Sequence, residues 1–96
     1  MNCEWRDELG KSVLFCSGEM GHIECANLRS ELLSAMEKSK PLNIDVSGVT
    51  EAGTIFAQVL ISTRSTAALR GLSMNLLKPS EAAKGALERI GIKMAV

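Results

Sequence analysis

Residues 43–60, NIDVSGVTEAGTIFAQVL, restrict the possible folds more than any other stretch of the chain. Leu42, Ile44 and Val46 alternate with Asn43 and Asp45, the period of a strand with one buried face. After a turn expected at Ser47 and Gly48, the residues Phe56, Val59, Leu60, Thr63 and Ala67 recur at helical spacing. The strand therefore gives way to a helix across the corner at Gly53 and Thr54. A strand feeding a helix at so short a corner commits the chain to a sheet covered by helices.

The flanking segments extend this pattern. Residues 3–6 alternate weakly, and residues 7–11 have the length of a hairpin loop leading into a second strand over 12–16, before Ser17, Gly18 and Gly21 break the pattern. From about residue 23 to residue 38 the positions Cys25, Leu28, Leu32 and Ala35 form an apolar stripe, with Arg29, Glu31 and Glu37 left for solvent. Lys40 and Pro41 end that helix. The second helix stops at Gly71, a residue suited to the left-handed conformation of helix ends. Leu72, Met74 and Leu76 then alternate as a strand, and Ser80 is placed to cap a third helix lined by Ala83, Leu87 and Ile90 and ending at Gly91. Residues 92–96 are expected to add a short closing strand. The expected class is α/β, one domain over residues 1–96, with a mixed sheet of four to five strands packed against three or more helices and parallel neighbours where a helix joins two strands.

Composition narrows the function. A chain of 96 residues buries roughly two thirds of its unfolded surface in a single core. Lys+Arg 11 balance Asp+Glu 11, so the basic excess that a binder of nucleic-acid phosphates needs is missing, and no nucleic-acid partner is expected. No apolar run of about 18 residues occurs, which argues against direct membrane insertion. Glu4, Arg6, Asp7 and Glu8 stand where a signal peptide needs an apolar segment. A cytoplasmic location follows as the expectation. Cys3, Cys16 and Cys25 are odd in number and form no CxxC pair, suggesting neither a disulfide framework nor a zinc site. Cys16 and Cys25 read as small core residues, and Cys3 as an exposed thiol.

An enzyme has little to work with. His22 is the only histidine, on an expected loop beside Gly21, and no nucleophile–base arrangement surrounds it. The carboxylates are spread over helix faces and turns. A thiol-based enzyme or sensor using Cys3 or Cys25 is disfavoured because Glu4 beside Cys3 opposes a thiolate. Neither GxGxxG nor a Walker phosphate loop is present, so no nucleotide or other cofactor is indicated. What remains is Thr54. Either it caps the second helix, contributing about 1 kcal/mol, with Gly53 supplying an unusual backbone angle, or it is exposed and available for phosphorylation, adding about two negative charges to a surface that a partner must approach.

Three segments carry a family resemblance that runs from about residue 12 to residue 92. FCSGEMG, LNIDVSGVTEAGT and LLKPSEAAKGALERIGI resemble, in order and spacing, the strand leading to the first helix, the strand–turn–phosphorylation corner, and the late strand with its Pro-Ser helix start in the STAS domain. This module is shared by anti-sigma factor antagonists and the cytoplasmic tails of sulfate transporters. In that family the corner reads Asp-Ser-Ser or Asp-Ser-Thr before a glycine, and a partner kinase phosphorylates the first hydroxyl. Here the aspartate falls on Gly53, that hydroxyl on Thr54 and the second on Ile55.

The resemblance implies a regulatory, non-enzymatic protein that works by partner switching, with Thr54 as the phosphoacceptor candidate. Gly21, His22, Glu51, Gly53, Thr54 and Ile55 would edge the surface that meets a protein partner. That partner would be an anti-sigma factor of the serine-kinase type, or a signalling histidine kinase of the chemotaxis type. The second implied role is a STAS subunit of a phospholipid or other ABC transport assembly, docked on its ATPase through the same corner.

Overall fold

The computed structural model describes residues 3–8 and 10–91. Strands β1 (Cys3–Glu8), β2 (Lys11–Met20), β3 (Leu42–Ala52) and β4 (Met74–Leu77) are interleaved with helices α1 (His22–Glu37), α2 (Thr54–Leu69) and α3 (Glu81–Arg89) in the chain order β1, β2, α1, β3, α2, β4, α3. The sheet order is β1-β2-β3-β4. β1 and β2 form an antiparallel hairpin, whereas β2–β3 and β3–β4 are parallel pairs, each joined by a crossover helix as such pairs require. The mixed four-strand sheet with three helices is the architecture expected from the sequence. The closing strand expected over 92–96 lies outside the described residues.

The helices form where apolar side chains repeat at helical spacing. α1 buries Cys25, Leu28, Leu32, Ala35 and Met36, α2 buries Phe56, Ala57, Leu60, Thr63 and Ala67, and α3 buries Ala83, Ala86 and Leu87. These side chains meet Cys3, Leu14, Cys16, Met20, Leu42, Ile44, Val46 and Val49 of the strands in one cluster. Thr63, the one buried hydroxyl of α2, donates to the Val59 carbonyl at 2.7 Å and so carries no unpaired group into the core. α2 ends where Gly71 predicts. The Leu72 N–H donates to the Ala67 carbonyl and the Gly71 N–H to that of Ala68, a Schellman closure with Gly71 at φ +71°. Ser80 caps α3 as expected, its hydroxyl accepting from the Ala83 N–H at 3.1 Å.

Three expectations are corrected. The hairpin is tighter than the sequence suggests, with Glu8 paired to Lys11, and β2 continues through Ser17 and Gly18 to Met20 with Gly18 at φ +76°. Ser47 and Gly48 form no turn, because β3 runs unbroken from Leu42 to Ala52. The cause is a register shift. Phe15 pairs with Asp45, Ser17 with Gly48 and Glu19 with Glu51, so β3 takes an extra residue at two places. The first of these resets which residues face inward: Val46 and Val49, an odd interval apart, are both in the core. A strand whose alternation breaks in this way reads as two pieces with a turn between them. Thirdly, Cys3 is buried, only 2% exposed. Cys16 and Cys25 are buried as expected.

Candidate partner-binding corner

The parallel pair β2–β3 brings two strand ends together. Glu19 is in register with Glu51 and Met20 with Ala52, after which each strand passes through a glycine into a helix: Gly21 into α1 and Gly53 into α2. Here Glu19, Met20, Gly21, Glu51, Ala52 and Gly53 line an open groove of about 290 Å³.

The N-cap residue of both helices is a glycine, so neither helix start has a side-chain cap of its own. At α1 the Gly21 N–H donates to the Glu24 carboxylate at 3.0 Å, the reciprocal half of a capping box. At α2 the N-cap is Gly53, with no side-chain cap. Thr54 therefore does not cap the helix. It is the first helical residue, exposed to solvent. Nor does Gly53 need glycine's conformational freedom: its φ of −113° and ψ of −166° are ordinary extended values, and a Cβ added there would meet nothing within 4 Å. A Gly53→Asp variant should therefore fold unchanged and gain a few tenths of a kcal/mol up to about 1 kcal/mol from a carboxylate at a vacant N-cap. The check is a rise of a few degrees in the thermal midpoint.

Of the six residues singled out from the sequence, Gly21, Glu51 and Gly53 line the groove, and His22, Thr54 and Ile55 occupy the first turns of the flanking helices, all exposed. His22 is not on a loop but opens α1. Sequence reasoning missed Glu19, Met20 and Ile23. The signal was available as a short internal repeat, because Glu19-Met20-Gly21-His22-Ile23 and Glu51-Ala52-Gly53-Thr54-Ile55 share the pattern Glu-x-Gly-x-Ile. The parallel register sets the two copies side by side. Ile23 is 72% and Ile55 41% exposed, an unusual placement for two large aliphatic side chains of the same corner. Behind the groove, the Arg89 guanidinium donates to the Ala52 carbonyl at 3.3 Å, tying the last turn of α3 to the end of β3.

The model of the family described as "Mlab, STAS domain" matches residues 5–94. The chain belongs to the STAS domain family. No curated protein matches it. STAS domains are generally regulatory and non-enzymatic and act by contacting other proteins. Among the described residues of this STAS domain, no helix is long and apolar enough to cross a membrane, and no group of three or more His, Cys, Asp or Glu side chains could hold a metal ion.

Proposed function

We propose that this STAS domain is a partner-switching regulator, similar to anti-sigma factor antagonists, that binds a regulatory kinase or related signalling protein at the paired corners and is controlled by phosphorylation of Thr54. The observation that carries the reading is the exposure of Thr54 as the first residue of α2, behind a cap with no side chain. The first-turn N–H groups of α2 have no side-chain acceptor there, so a phosphate on Thr54 meets donors and the positive end of the helix dipole and leaves the fold intact. The new charge acts on the partner instead. Ile23 and Ile55 provide the apolar contact, and Gly21, His22, Glu51 and Gly53 edge it. A doubly charged group beside Ile55 must be desolvated when that contact closes and adds to the charge of Glu51, which weakens binding.

The experiment is an affinity pull-down to name the partner, with mass analysis of Thr54, followed by calorimetric titration of the Thr54→Glu variant. Binding should weaken by roughly 10- to 100-fold, about 1.4–2.7 kcal/mol. A variant that binds as tightly as the parent overturns phosphorylation control.

The occupancy of the corner favours a second reading. Gly53 and Ile55 stand where the family resemblance places an aspartate and a second hydroxyl, leaving Thr54 beside an exposed aliphatic side chain, a combination suited to a permanent docking contact. In that reading the protein is a STAS subunit of an ABC transport assembly. Stable co-purification with an ATPase, unchanged by the Thr54→Glu substitution, selects it over the signalling role.

A further inference from the structure

Cys3 and Cys16 face each other across the β1–β2 ladder, and their sulfurs lie 3.4 Å apart. Facing residues of antiparallel strands have Cα atoms about 4.5–5.5 Å apart, inside the roughly 4.4–6.8 Å span that disulfides bridge. Closing to a bond length of about 2.05 Å asks the sulfurs to approach by about 1.3 Å, a change within side-chain rotation and a slight strand shift. The third thiol is arranged differently. Cys25 sits on α1 with its sulfur 3.5 Å from the Met20 carbonyl, and burial pushes its thiol up.

We propose that Cys3 and Cys16 form a peroxide-oxidisable dithiol, a modification site that closes as a disulfide between the edge strand β1 and β2. The edge position supplies access. Among the described residues β1 pairs with no strand but β2, its further tie being the Trp5–Glu31 hydrogen bond to α1, so a local opening that parts this ladder exposes Cys3 to a molecule as small as hydrogen peroxide. The two thiols are not equivalent. The hydrogen bond between them holds Cys3 below the usual thiol range, outweighing burial and the carboxylates of Glu31 and Glu24, and it pushes Cys16 up. Cys3, on the edge strand that the opening exposes, is the attacking thiol, and Cys16, facing it across the ladder, is the resolving one.

The chemistry balances in two steps. The Cys3 sulfur attacks one peroxide oxygen, the O–O bond breaks, and the hydroxide released takes up the thiol proton as water, leaving a sulfenic acid on Cys3. The Cys16 sulfur then attacks the Cys3 sulfur, the S–O bond breaks, and the departing hydroxide takes the Cys16 proton as a second water. Two thiols are oxidised to one disulfide and one peroxide is reduced to two waters.

The test treats the full chain with hydrogen peroxide, alkylates the remaining thiols and maps the peptides by mass. The expected product is a Cys3–Cys16 linked peptide lighter by two hydrogens, with Cys25 alkylated. The thermal midpoint should rise by roughly 10 °C from the closed loop and return on adding dithiothreitol. A Cys16→Ala variant should lose the linked peptide and leave a dimedone-reactive Cys3. Should that variant not fold, the wild-type peptide map decides alone. Three reduced thiols, a sulfinic acid on Cys3 without a link, or a link that includes Cys25 would each overturn the proposal.

Discussion

Replacing Phe56 by alanine should remove about 3–5 kcal/mol of stability, a large share of the roughly 5–14 kcal/mol available to a domain of this size. Phe56 is fully buried and heads the large side chains of the core. It is the third residue of α2, directly after the exposed pair Thr54 and Ile55. Burying Phe56 and Ala57 holds the first turn of α2 against the sheet and fixes which residues of that turn face outward. The variant therefore reports on the corner as well as on the core. In urea the unfolding midpoint should fall while the slope against denaturant stays unchanged, the signature of lost stability without a change in the unfolded state. A loss below about 1 kcal/mol would show that the start of α2 is held by something other than this ring.

Substitution of Gly48 should be the next most costly change after Phe56→Ala, at about 1–3 kcal/mol for Gly48→Ala. Its φ is not in the left-handed region, so the reason is space. A Cβ on Gly48 would lie 2.9 Å from the Ser17 Cβ, 3.1 Å from the Cys16 carbonyl oxygen and 3.1 Å from the Phe15 ring. Two of these neighbours are backbone or next to it and cannot swing aside. Phe15 is itself held, with the Arg6 guanidinium 4.1 Å from its ring centre. Gly48→Val should cost more than Gly48→Ala, and chemical denaturation of the pair checks the order. The contrast with Gly53 is direct: two glycines five residues apart in sequence are expected to respond to an added side chain with opposite sign, because one adjoins a neighbouring strand and the other faces open space.

Much of this architecture was legible in the sequence because it rests on local rules. Alternation in residues 42–46, the stripes of α1 and α2, the Schellman end at Gly71 and the Ser80 cap depend on side chains and backbone within a few residues of one another. What failed depended on partners far along the chain. The shift that makes Ser47 and Gly48 part of a strand arises from pairing with β2, about thirty residues earlier, and no local window contains it. The contact of Cys3 with Cys16 required the exact hairpin register, which a loop drawn two or three residues too long obscures. The corner was found by its Gly-Thr step, and Gly21 and His22 entered its expected edge, but as a loop and not as a second helix start, although the repeated Glu-x-Gly-x-Ile pattern linked the two. Thr54 as a cap was a reasonable local reading that failed because the helix begins at Thr54 itself, one residue earlier than a capping role needs.

The only tryptophan of the chain, in a sequence without tyrosine, is Trp5 on β1. Its indole N–H donates to the Glu31 carboxylate on α1 at 2.8 Å, and the side chain is 37% exposed. Ultraviolet emission from this molecule thus has a single source, placed where the outermost strand clasps a helix. Shifts in its colour and intensity follow that clasp without any added dye, separating its loosening from the melting of the interior.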